Sequence, residues 1–122
     1  MVEPAPGEEV DASELSESQA WRWGEALALV HHDAAGLDAG LPESFGELGG
    51  VGELFADDTA LVEATGRLVG LMGELPRGQG RWGVVHGDFE LDNMAWEGGR
   101  PVAYDFDEAA LSWYRRCRLC RA

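Results

Sequence analysis

Residues 84–93 read Val-Val-His-Gly-Asp-Phe-Glu-Leu-Asp-Asn, and residues 104–107 read Tyr-Asp-Phe-Asp. Asp88 is followed five residues later by Asn93 and, beyond a Gly98-Gly99 turn, by Asp105 on an apolar strand. Phosphoryl-transfer chemistry uses this spacing to hold a base beside a metal. Three short apolar runs frame the polar residues: 82–85, 94–96 and 101–106. The last two, joined by the glycine pair, predict a hairpin. Folding that hairpin returns Asp105 toward the loop that carries Asp88 and Asn93.

Oxygen donors of this kind suit Mg²⁺, which keeps several waters and bridges to substrate phosphates, so two protein ligands suffice. Asn93 and Asp105 are the expected ligands. Asp88 is left to accept the proton of an attacking hydroxyl, chiefly as a positioning group, because alignment and charge neutralisation supply most of the acceleration. Gly87 lets the loop turn tightly. His86 is expected to brace the loop by hydrogen bonding to its carbonyls rather than to take part. Asp107 has two readings, a second metal-shell carboxylate or the cap of a helix begun by Glu108-Ala109-Ala110-Leu111.

Upstream, residues 1–15 are rich in Glu, Pro and Ala without apolar periodicity and are expected to form a flexible acidic lead-in. Ser16-Glu17-Ser18-Gln19 is a capping box, and Ala20, Trp23, Leu27 and Val30 follow at helical spacing to near His31. Residues 34–56 are rich in glycine with scattered apolar residues. This stretch exceeds the ~12–15 residues usual for a structureless connection, which predicts a functional or partly helical insert. Asp57 or Asp58 then caps a second helix carrying Leu61, Leu68, Leu71, Met72 and Leu75, ended by Pro76. Gly66, Gly70 and Gly73 each cost this helix roughly 1 kcal/mol against Ala, so it depends on packing.

Composition bounds the rest. A chain of 122 residues with 45% hydrophobic content and five Trp is ordinary globular material for one core. The formal charge is −14, and four of the nine Arg lie in the last eight residues. Such a field repels nucleic-acid backbones and anionic lipid, so neither is an expected partner, but it attracts cationic small molecules. All nine Lys-or-Arg positions are Arg and none is Lys, so the lysine that pairs with ATP phosphates in kinases is not supplied from within the chain. Cys117 and Cys120 form a C-x-x-C with no second ligand pair, so neither zinc nor redox chemistry is expected. No signal peptide or long apolar run is present, and a soluble cytoplasmic protein is the expectation.

The run His86-Gly87-Asp88-Phe89-x-x-x-Asn93 with Asp105-Phe106-Asp107 resembles the aminoglycoside phosphotransferase family, whose kinase-like fold is shared with choline and fructosamine kinases. The likeness extends over roughly residues 18–114. It implies an α+β, protein-kinase-like fold represented by part of the C-terminal lobe, helices plus a short catalytic-loop β-hairpin, with the N-terminal lobe absent. It implies Asp88 as catalytic base and Asn93 and Asp105 as metal ligands in Mg²⁺–ATP-dependent transfer of the γ-phosphoryl group to a hydroxyl of a small-molecule acceptor, of which an amine-bearing one suits the acidic field. The kinase-like unit is expected over 16–114, followed by an atypical basic tail over 115–122 that is expected to reflect a shifted reading frame in a truncated gene. Two other classes compete. A catalytically inactive lobe remnant or binding module follows from the lost lysine and lid, and suits the isolated chain. A metal-dependent phosphoesterase would place more His and Asp ligands around two metals. His31 and His32 are instead expected to serve packing or the dipole at a helix C-terminus. The five Trp, at 21, 23, 82, 96 and 113, exceed what so few elements can bury, so a sticky surface is predicted.

Overall fold

A computed structural model describes residues 4–37 and 40–114. The basic tail with Cys117 and Cys120 lies outside the described residues.

Helix α1 spans Glu17–Asp33. The capping box forms as its sequence requires: the Ser16 hydroxyl accepts from the Gln19 amide at 3.2 Å, and the Gln19 side chain accepts from the Ser16 amide at 2.9 Å. The predicted stripe faces inward from Trp23 onward, with Leu27 buried and Trp23 and Val30 packed around it, while Ala20 stays exposed. The long connection after α1 is partly helical, with a 3₁₀ turn at Gly46–Gly50 running into the short helix α2 at Val51–Leu54. Helix α3 spans Thr59–Gly73 and is capped by Asp58, whose carboxylate accepts from the Leu61 amide at 3.0 Å.

Two antiparallel strand pairs complete the fold. Strand β2, Met94–Glu97, pairs with β3, Arg100–Ala103, in the predicted hairpin. Both glycines of its two-residue turn have positive φ, 55° at Gly98 and 76° at Gly99, as a type I′ turn demands. The strand of the third apolar run ends at Ala103 instead of continuing to Phe106: Tyr104 adds one last bond, and Asp105, at φ 59°, turns the chain away.

The second pair corrects an expectation. The segment begun by Glu108 is not a helix, and Asp107 caps none: β4, Ala110–Trp113, pairs with β1, Trp82–Val85, in the register Trp82↔Trp113 to Val85↔Ala110. A helix here would leave the buried amides and carbonyls of β1 without partners, whereas the β1–β4 ladder satisfies both segments. Ala110 and Ser112 point inward along β4, and the Ser112 hydroxyl accepts from Ser44 at 2.7 Å.

Residues 42–44 lie against the outer edge of β4. Leu111 donates to the Pro42 carbonyl at 2.9 Å, and the Ser44 amide donates to the Leu111 carbonyl at 3.0 Å. Arg77 fastens this layer. Its guanidinium makes two bonds to the Glu43 carboxylate, at 2.6 and 3.2 Å, and sits 4.3 Å from the Trp82 ring with Phe45 and Trp113 beside it. Within the stretch expected to be a flexible lead-in, Glu8 exchanges two backbone hydrogen bonds with Trp96, at 2.8 and 3.1 Å. No described helix is long and apolar enough to cross a membrane.

Leu27, Phe89 and Met94 form the core cluster, closed by Trp23, Ala26, Val30 and Ala103. One helix, the loop after β1 and the hairpin therefore share one small core. The polar residues of that loop are held on it.

Candidate active site

Strand β1 delivers His86 directly into the interior, where it is fully buried. Its Nε2 lies 2.8 Å from the Tyr104 carbonyl oxygen. A carbonyl only accepts, so Nε2 carries the proton, and the buried Nδ1 has no hydrogen-bond partner among the described residues. Phe89 meets the ring edge-on at 5.6 Å and Phe106 lies against it at 4.3 Å. His86 thus ties the loop after β1 to the segment after β3 and is walled off from solvent chemistry.

Gly87 comes next with φ 90°. A Cβ there would strike the Glu108 carbonyl. The glycine therefore serves both the left-handed backbone and the close approach of a segment 21 residues downstream.

Beyond it the chain folds into a hydrogen-bonded turn that includes the 3₁₀ segment Leu91–Asn93. The Glu90 amide donates to the Asp88 carbonyl at 2.9 Å, and the Asn93 amide donates to the Glu90 carbonyl at 3.1 Å. The side chain of Asn93 reaches back to donate to both the Asp88 carbonyl, at 2.9 Å, and the Asp88 carboxylate, at 3.1 Å. Five residues is the span that one such turn closes. Because the amide NH₂ is committed to Asp88, the side-chain oxygen Oδ1 is the atom of Asn93 with which it can coordinate a cation.

Asp105 is brought to the same region by the hairpin. Met94 pairs with Ala103, and the Tyr104 amide extends the ladder by one bond, donating to the Asn93 carbonyl at 3.1 Å. Asp105 is then exposed, in the left-handed conformation that Asp and Asn tolerate better than other side chains. A functional site is where such a conformation concentrates. Asp107 is exposed at the turn beyond.

Among the described residues no group of three or more His, Cys, Asp or Glu forms a metal-binding cluster. The donor set at this site is one amide oxygen and carboxylates, all hard oxygen, and fits a magnesium or calcium ion that takes its remaining ligands from water and phosphate. His31 and His32 lie at the end of α1: the His31 ring stacks on Tyr114 at 4.3 Å and His32 pairs with Asp33 at the surface.

Tyr104 escaped the reading of the sequence. Its phenol donates to the Asp92 carbonyl at 2.6 Å, and desolvation, then the carboxylates of Glu9, Asp92 and Asp105, holds its pKa above the ordinary tyrosine value. The signal was its register, one residue before Asp105 and opposite the loop.

The chain matches the phosphotransferase enzyme family (APH) over residues 2–115. It is 24% identical over 121 residues to amicoumacin kinase of Bacillus subtilis (strain 168), covering 93% of this chain and 36% of that protein. The solved structure of amicoumacin kinase hAmiN in complex with AMP-PNP, Ca²⁺ and Ami superposes with a TM-score of 0.74 at 21% identity, covering 92% of this chain and 36% of that one. This chain therefore spans about a third of the length of those relatives and shares the kinase-like fold over that third.

Proposed function

From a chain that belongs to the phosphotransferase enzyme family, we propose an ATP-dependent small-molecule kinase function, in which residues 86–107 form the metal and phosphate half of the active site. The transfer moves the γ-phosphoryl group of ATP to a hydroxyl of a small, amine-bearing acceptor in the cytoplasm. The observation that carries this reading is the clasp between Asn93 and Asp88, two bonds from one amide to the loop's carboxylate and carbonyl. The clasp fixes a proton acceptor beside an oxygen ligand, and the hairpin returns a second carboxylate, Asp105, to the same loop.

Asp88 would orient the acceptor hydroxyl and take its proton as the new O–P bond forms and the bond to the leaving ADP oxygen breaks. Asn93 and Asp105 would hold Mg²⁺, which supplies charge neutralisation at the phosphate oxygens. His86 and Gly87 keep the loop seated from below. The related hAmiN complex contains a nucleotide analogue and Ca²⁺, which supports a nucleotide with a divalent ion at such a site. The acidic charge of the chain suits an acceptor bearing an amine.

One observation favours a second reading, a kinase-lobe remnant that binds without catalysing. None of the cationic side chains in the 122 residues is a lysine. The lysine that kinases place on the α- and β-phosphates is therefore not among these residues, and phosphoryl transfer by them alone would lack that share of the electrostatic stabilisation.

Calorimetric titration of the purified chain with AMP-PNP, with and without Mg²⁺, tests the site. Magnesium-dependent binding that Asp105→Ala abolishes is the expected result. Equal binding by wild type and Asp105→Ala would remove Asp105 from the site. Binding without phosphoryl transfer to any amine-bearing alcohol would support the second reading.

A further inference from the structure

We propose that Tyr104 is a positioning residue that sets Asn93 against Asp105 through its side-chain hydroxyl; this rests on the functional reading above. Three polar groups of this one residue reach three points of the site. Its amide donates to the Asn93 carbonyl at 3.1 Å, its hydroxyl donates to the Asp92 carbonyl at 2.6 Å, and its carbonyl accepts from His86 Nε2 at 2.8 Å. The two consecutive carbonyls of 92 and 93 are thus fixed by the residue that immediately precedes Asp105.

Two of the three bonds use main-chain atoms, which any residue at 104 except proline supplies. The hydroxyl bond alone depends on tyrosine. It acts at the right place: Asp92 lies within the 3₁₀ turn Leu91–Asn93 that carries the Asn93 side chain to Asp88. Restraining the Asp92 carbonyl holds that peptide plane, and with it the direction of the Asn93 Cα–Cβ bond. Asp105 is exposed and left-handed, with little packing of its own, so its placement against Asn93 is inherited from Tyr104. Preorganised ligands lose less conformational entropy on binding a cation.

Phenylalanine keeps the ring and both main-chain bonds and removes only the hydroxyl, which makes Tyr104→Phe the informative variant. Amide hydrogen exchange and thermal melting of the purified chain, without metal or nucleotide, read the positioning itself. In Tyr104→Phe we expect the Glu90 and Asn93 amides to exchange about tenfold faster, the weight of one net hydrogen bond. Exchange in α1 and β1 should rise no more than at Glu90 and Asn93, and the melting midpoint should fall by no more than the few degrees one lost hydrogen bond is worth. Calorimetry with Mg²⁺ and AMP-PNP should show affinity lowered about tenfold with metal and unchanged without it.

Unaltered exchange at Glu90 and Asn93 would overturn the proposal. A larger acceleration throughout α1 and β1 than at Glu90 and Asn93 would also overturn it, since the hydroxyl would then serve the fold as a whole. If the wild-type chain binds no metal–nucleotide, the functional reading falls, while the exchange data still decide whether Tyr104 orders the loop.

Discussion

Gly87 shows most sharply what a single residue does here. Its φ of 90° and the Glu108 carbonyl that a Cβ would strike are independent obstacles to any side chain. Gly87→Ala should therefore cost more than about 2 kcal/mol in chemical denaturation, the sum of a left-handed alanine and a displaced backbone segment. Stability equal to wild type would mean that the contact with Glu108 relaxes freely. The need for a tight turn at Gly87 was legible, because glycine beside a polar loop residue marks one. Its steric reason was not, since the obstructing carbonyl belongs to a segment with no sequence relation to it. Asp88 and Asn93 were legible as a pair for the opposite reason: their bond closes within five residues. The return of Asp105 toward the loop was legible from its place after the hairpin, whereas its left-handed backbone depends on how the chain leaves β3 for β4.

At the level of elements, both long helices were readable from caps and periodicity, and the hairpin from its glycine pair. Strand β4 was not. Glu-Ala-Ala-Leu has good helix propensity, and the competing gain, a ladder with β1 and the packing of Trp113 on Trp82 and Phe45, is entirely non-local. The end of α1 carries a pH response. His31 stacks on Tyr114 with a buried Nε2 that has no partner among the described residues, and burial lowers its pKa from the usual histidine value. A histidine depressed in the folded state leaves stability intact above the unfolded value, roughly 6.5, and stability falls as pH drops below it toward the folded value. Between about pH 7.5 and 5.5 the melting midpoint should fall more steeply in wild type than in His31→Phe, which keeps a stacked ring without the titration. Parallel slopes would show that the ring accepts a proton in the folded chain at no cost.

Over the described residues, the core is confined to α1, the loop after β1 and the strands, and α3 contributes no buried residue to it. Leu61, Leu68, Leu71 and Leu75 of the α3 segment are exposed, along with Leu54 and Phe55 nearby. Of the five tryptophans Trp96 is buried, Trp23, Trp82 and Trp113 are half-buried, and Trp21 is 74% exposed. An apolar surface of this kind should bind a hydrophobic dye and drive concentration-dependent association in sedimentation, both reduced by Leu68→Glu with Leu71→Glu. A monomer that ignores the dye and melts in one sharp transition would contradict this. The sequence alone determined the helices, the hairpin and the turn that joins Asp88 to Asn93, because each is written in spacings of a few residues. The tertiary structure alone decided that 110–113 is a strand, that Arg77 is boxed among Phe45, Trp82 and Trp113, and that Tyr104 joins His86, Asp92 and Asn93. Those arrangements bring together residues from separate elements, and their energy depends on neighbours that no local pattern specifies.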